Sequence, residues 1–248
     1  MQPRQLGWQD IGAALRSGAV MLRQARGTAL AFAACFVLPG ALLMGTLLAL
    51  GWTPFLIPAA GAFMLIAPVG LAGFFGLARA VEQGLPLGAP AVRQGFAGAA
   101  PALWALALVC ALLFMIFVTD AAILYAYMVG GEAVSWAAWL GQGGIARFVL
   151  WGSVSGAVIA GLLFAVSAFS VPLLCERRAS LVAAVVLSIR IILGNFLPAL
   201  AWGALLAGVT MLSVLLLPLL LLTLPWLAFA SWALYRHVLP EGPTVDRV

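Results

Sequence analysis

Asp120 is the one acidic side chain set inside a long apolar stretch of this chain, in a run that reaches from Pro101 toward Val129. A carboxylate in hydrocarbon is costly and is generally a proton site, a cation site or half of a pair. Two readings stand side by side. Asp120 is a proton or cation site within a membrane span, or the span ends there, 20 residues after Pro101, and the carboxylate marks the outer interface. Arg147, at the start of the next apolar stretch, is the neighbour expected to pair with it if it is buried. A second group of polar residues follows: Glu176 and Arg177, then Ser188 and Arg190, then Asn195. Arg190 sits on an almost wholly apolar short segment. It calls for Glu176, a lipid phosphate or a carbonyl at a helix end, unless its long side chain snorkels to the headgroups.

Catalytic chemistry finds few candidates. The single histidine, His237, lies after the last apolar stretch, so no histidine-based metal or haem cluster can be built. No H-E-x-x-H, G-x-S-x-G or phosphate-cradling glycine loop occurs. The chain is read as no enzyme, with no cofactor and no catalytic or metal residue. Pro39, Pro58, Pro68, Pro172, Pro218 and Pro225 lie inside apolar stretches, where they kink helices or open carbonyls for ion sites. Cys35, Cys110 and Cys175 are odd in number and are read as reduced thiols.

The elements that must position these residues are membrane spans. Apolar residues make up 65% of the 248 and charged residues 8%, with a mean hydropathy of +1.18. Soluble domains are about 45–50% apolar and about 25% charged, and only lipid solvates an exterior this apolar. The fold class is all-α: a polytopic helical membrane protein with six transmembrane helices and short cytoplasmic interfacial helices. Spans are expected at 28–50, 54–78, 101–120 or slightly beyond, 148–174, and two within the 40-residue uncharged block 196–235, turning near Leu217-Pro218. A polar excursion from Gly130 to Ala146 carries Glu132, Trp136 and Trp139. The domains are a cytoplasmic N-terminus, 1–27, a membrane domain, 28–235, and a cytoplasmic tail, 236–248.

There is no lysine, and eleven of twelve arginines fall on one side of such a topology, with Arg147 alone on the other. That bias places both termini in the cytoplasm. The net charge of +5 faces anionic headgroups of the lipid bilayer rather than nucleic acid.

Three short segments precede the odd-numbered spans. Ile11, Leu15 and Leu22 share one helical face, with Arg16 and Arg23 about 100° away, the pattern of a helix in the membrane interface. Segments 87–100 and 181–196 hold the equivalent places. Pro101-Ala102-Leu103 follows Arg93 by eight residues, as Pro198-Ala199-Leu200 follows Arg190. A unit of one short helix and one helical hairpin, used three times, is expected, with the first copy looser. On the fourth span, Gly152-x-x-x-Gly156-x-x-x-Ala160 runs beside Ser153, Ala157, Gly161 and Ala165, and small residues at this spacing let helices approach closely.

Phe169-Ser170-Val171-Pro172-Leu173-Leu174-Cys175-Glu176-Arg177, followed by Ser188-Ile189-Arg190, Asn195 and Pro198, resembles a bacterial family of predicted inner-membrane proteins classed as a domain of unknown function. The resemblance covers most of the chain and is specific from about Phe169 to Arg236. The family closes on Gly-His-Ala-Thr-Trp-His-x-Tyr, whereas this chain has Ala228 to Tyr235 without either histidine, so no role of those histidines carries over. The resemblance implies a bacterial inner-membrane location and a fold, not an activity. Two functions remain open: an accessory or assembly factor for a membrane complex, with a membrane-protein partner or a second copy, and a transporter or channel for a small solute.

Overall fold

The computed structural model describes residues 4–51, 56–128 and 143–240, and no strand occurs among them. The helices in order are α1 (Trp8–Gln24), α2 (Arg26–Ala49), α3 (Leu56–Glu82), α4 (Ala89–Gly98), α5 (Ala102–Met128), α6 (Gly143–Ser167), α7 (Ser170–Cys175), α8 (Leu181–Gly194), α9 (Phe196–Leu215) and α10 (Leu217–Val238). Five stretches, Arg26–Ala49, Ala102–Met128, Arg147–Cys175, Phe196–Ser213 and Pro218–Val238, are long and apolar enough to cross a membrane. The 27-residue α3 is the sixth long helix. The expected turn at Leu217-Pro218 is a break of one residue, with Pro218 in the first turn of α10, where a missing N–H costs nothing. One boundary differs from expectation, since α6 starts at Gly143; α5 runs eight residues past Asp120 to Met128, the longer of the two ends read for that span. Residues 129–142 of the polar excursion, with Glu132, Trp136 and Trp139, lie outside the described residues, as does the tail from residue 241.

Apart from the six-residue α7, which follows α6 after a break of two residues, the element order among the described residues repeats three times: short helix, long helix, long helix. Each short helix folds back along the closing end of a long one, α4 on α3, α8 on α6 and α7, and α1 on α10. The N-terminal helix thus closes a ring by taking the place that α4 and α8 take in their own copies. Aligning Arg16, Arg93 and Arg190 gives the register. All three arginines are exposed, and the residues two before and two after them are buried: Ala14 and Gly18, Ala91 and Gly95, Ser188 and Ile192.

The apolar face of α1 packs in part on α10. Ile11, Ala14 and Gly18 are its buried residues, and the Trp226 indole of α10 donates to the Leu15 carbonyl at 3.1 Å. Leu15 and Leu22 are only half-buried. Small residues centre the contact because they let backbones approach: a Cβ on Gly18 would come within 2.7 Å of the Ala230 nitrogen. Asp10 helps to start α1 by accepting the Gly7 N–H at 2.7 Å, and Ser180 starts α8 by accepting from Ala183.

Burial is concentrated at the arginine-bearing end. In α5 the buried residues are Leu103, Leu106, Ala107 and Cys110, and beyond them Leu112, Met115, Ile116 and Ile123 are exposed. In α10 burial runs from Leu227 to Leu239. Among the described residues packing is therefore densest at that end. A cavity of about 230 Å³ lies beside it, lined by residues of α3, α5, α6, α7, α9 and α10.

The α3–α4 contact gives a direct test. A Cβ on Gly95 would stand 2.1 Å from the Ala72 carbonyl oxygen, whereas one on Gly12 of α1 would meet nothing within 4 Å. Gly95→Ala should lower thermal stability in detergent by about 1–3 kcal/mol. Gly12→Ala should leave it unchanged or raise it by up to about 1 kcal/mol.

Candidate functional site

Three long helices end together at the arginine-bearing face, and their polar residues form one cluster. Glu176, at the end of α7, has a side chain 8% exposed and lies 3.3 Å from Arg236 of α10, 3.5 Å from Arg178 and 3.9 Å from Arg79 of α3. The Tyr235 hydroxyl donates to its Oε2 at 2.5 Å. Glu82, one turn after Arg79, pairs with Arg236 at 3.3 Å and accepts from the Trp232 indole at 3.0 Å. The guanidinium groups of Arg79 and Arg236 stand 5.6 Å and 4.8 Å from the Trp232 ring, in cation–π range. Phe75, which lines the cavity, packs against Trp232 with ring centroids 5.2 Å apart.

Helix carbonyls explain the arginines that remain. Arg178 donates from Nη1 to the Leu239 carbonyl and from Nη2 to that of Pro240, both at 3.1 Å, and so caps α10. Arg177 sits at φ 53°, in the left-handed region usually given to glycine. The Arg177 N–H bonds back to Leu174 and the Arg178 N–H to Leu173, closing α7 in a Schellman motif. The strained backbone aims the Arg177 guanidinium at the end of α4, where it donates to the carbonyls of Ala97, Gly98 and Ala99.

Ser188 does something different. Its buried hydroxyl accepts from the Phe169 N–H at 3.2 Å and donates to the Ala165 carbonyl at 2.7 Å. Those are the two groups that a regular helix would join, four residues apart. The hydroxyl of α8 is inserted into the ladder where α6 gives way to α7, and Pro172 prevents the helix from running straight through. Asn195 turns the corner between α8 and α9, donating to the Ile191 carbonyl and accepting the Leu6 N–H at 3.0 Å.

The cluster around Glu176 therefore joins it to Arg79, Glu82, Arg178, Arg236, Trp232 and Tyr235, none of which was among the candidate site residues read from the sequence, whereas Arg177 turns away to α4. One signal was legible, since Arg79 precedes Arg93 by the same 14 residues that separate Glu176 from Arg190. Glu176 does not pair with Arg190, which is exposed on α8 and makes no ion pair among the described residues. The expected pairing of Asp120 with Arg147 is also corrected. Asp120 takes its hydrogen bond from Ser155 of α6, and Arg147 is exposed eight residues earlier on that helix, about 12 Å away along its axis. Antiparallel packing sets which residues meet, and it brings residue 155, not 147, to the level of 120. Asp120 lies about 27 Å along α5 from Ala102, near the far edge of a hydrocarbon layer about 30 Å thick.

Among the described residues no group of three or more His, Cys, Asp or Glu is arranged to hold a metal. Where the resembling family carries its two histidines, Phe229 is fully buried against Phe74 and Ala233 is buried beside it in sequence.

Removing the shared carboxylate leaves three guanidiniums facing one another. Glu176→Gln should cost about 3 kcal/mol, Tyr235→Phe about 1 kcal/mol, and the double variant less than their sum. Melting temperatures of the three in one detergent measure this. Glu82 has the opposite character. Burial holds its carboxyl above the ordinary 4.5, against the pull of Arg236 and the hydrogen bonds from Trp232 and Arg236. The folded chain thus binds this proton more tightly than the unfolded one. The resulting stability is fully present below pH 4.5 and is lost as pH rises through the folded value. Glu82→Gln, which keeps the shape of the protonated carboxyl, should therefore differ least from the native chain near and below pH 4.5, and the native chain should lose ground to it as pH rises.

Searches of curated proteins and of solved structures give no match. A family model does match, from α3 through the end of α7, so the likeness extends well before Phe169 and stops at the carboxylate on which the three helix ends converge. Residues 56–176, just under half of the chain, are similar to the family described as "Predicted integral membrane protein (DUF2189)", and the chain is an integral membrane protein.

Proposed function

We propose that this protein is a non-catalytic accessory subunit of the bacterial inner membrane, one that assembles with or stabilises another membrane protein through the outer face of α6. The observation that carries this reading is a ridge of small residues that no described residue covers. Ser153, Ala157, Ala160 and Gly161 are exposed, and a Cβ on Gly161 would meet no atom within 4 Å. The neighbouring stripe of the same helix is occupied, since a Cβ on Gly156 would lie 3.1 Å from Phe117 of α5. Helices in lipid associate by close packing of small residues, because the hydrophobic effect gives no net drive there. The open ridge has the shape for a further helix.

Solute transport is the second reading, and the observation in its favour is Asp120 with Ser155 between α5 and α6. Intramembrane carboxylates commonly lie on ion or proton paths.

Capture of the tagged chain in mild detergent separates the readings. A stoichiometric membrane partner should co-purify, and Ala157→Leu or Gly161→Leu should release it without lowering the melting temperature. If Asp120 serves transport instead, Asp120→Asn should abolish solute flux in proteoliposomes while the melting temperature stays put. The accompanying orientation, both termini in the cytoplasm, rests on the arginine bias. Alkaline phosphatase fused after Arg79 or at Val248 should be inactive, and fused near Glu132 active.

A further inference from the structure

We propose that the central cavity holds an acyl chain of a membrane phospholipid, entering from the bilayer at Ala67 and ending against Phe75 and Pro172. The walls give the direction. Along α3, Ala67 is exposed, Leu71 half-buried and Phe75 buried, each about one turn deeper than the last. Along the facing wall, Phe164 and Ala168 are half-buried and Pro172 is buried. A mouth at the level of Ala67 and a floor one turn short of Arg79 and Glu176 follow from these gradients.

The chemistry of the lining selects the occupant. Among the described residues no charged side chain contributes to it; the Ser167 hydroxyl donates to the Leu163 carbonyl at 2.6 Å, and Ser231 and the Cys110 thiol are its other polar side chains. A charged or strongly polar solute would lose its water there for two hydroxyls and a thiol at most. Water fares no better, since an apolar cavity of about 150 Å³ stays dry and takes up a hydrocarbon ligand instead. This cavity is larger, at about 230 Å³, and its mouth is continuous with the lipid-facing surface of an integral membrane protein. The nearest hydrocarbon is a phospholipid tail. Below the floor, Trp232, Arg79, Arg236 and Glu176 close the arginine-bearing end, so the tail has a terminus rather than a path through.

The full-length chain would be reconstituted in phosphatidylcholine–phosphatidylglycerol vesicles containing a phospholipid with a diazirine at the end of one acyl chain. After irradiation, adducts are mapped by mass spectrometry. Phe75 and Trp202 line the cavity yet are 1% and 3% exposed, so lipid surrounding the bundle does not reach them. Adducts at these two residues are expected, alongside ordinary labelling of exposed Leu108 and Leu112. A probe with its diazirine beside the glycerol should spare Phe75. Ala67→Trp at the mouth and, independently, Leu206→Trp in the wall should each deplete the Phe75 and Trp202 adducts several-fold and leave Leu112 unchanged. Adducts confined to exposed positions, equal labelling of Phe75 by both probes, or buried adducts undiminished in both variants would overturn the proposal.

Discussion

Glu176 holds together three helix ends that would otherwise repel one another. Its carboxylate lies at the end of α7, within 4 Å of guanidinium nitrogens from α3, α10 and the Arg177-Arg178 turn. Without a shared counter-charge, three arginines at one apex would drive the helices apart. Glu82 adds a second negative charge, and the Trp232 ring stands within cation–π range of two of the guanidiniums. The cluster sits where the three repeats converge, and this explains why burial is densest there. One end is joined by charge, hydrogen bonds and small-residue contacts. The other is left to lipid.

A second constraint shapes the details: backbone polar groups removed from water need partners inside the protein. The break between α6 and α7 frees an N–H and a carbonyl, and the Ser188 hydroxyl satisfies both. The last carbonyls of α4 and α10 have no helical partner, and Arg177 and Arg178 supply donors to them. Two adjacent arginines thus cap two different helices, and the left-handed backbone at Arg177 is what lets them point apart. The Glu-Arg and Ser-x-Arg sequences of the resemblance acquire a physical meaning here. They are the parts that let a broken helix turn back on itself within a membrane.

These constraints separate the regions that serve stability from those left for function. The polar residues of the apex are engaged with one another and with helix ends. What no described residue covers is apolar or small: the α6 ridge and the mouth of the cavity. Both face lipid. Docking of a foreign helix and insertion of a lipid tail use the same physics, dispersion contacts made where hydrocarbon packs imperfectly against protein.

The sequence by itself determined the class, the alternation of short and long helices, and which ends carry the arginines. Hydropathy, helix length and charge bias are properties of a chain read along one dimension. The threefold unit was legible too, in Arg93 and Arg190 and the prolines eight residues after them, because equivalent places in a fold ask for equivalent residues. What only the tertiary structure decided is which faces converge. Asp120 could be paired with Arg147 only by assuming that span ends meet, and α6 instead begins far enough outside that Ser155 comes level with it. The wheel of α1 showed an apolar face, yet nothing in it said that α10 would cover part of that face. Arg79, Glu82 and Arg236 read as ordinary span boundaries, since a charge at the end of a span has the same appearance whether it faces water or a carboxylate from another helix. Pairing across more than a hundred residues of sequence, as between Glu82 and Arg236, is set by how the helices pack, and that information is not local.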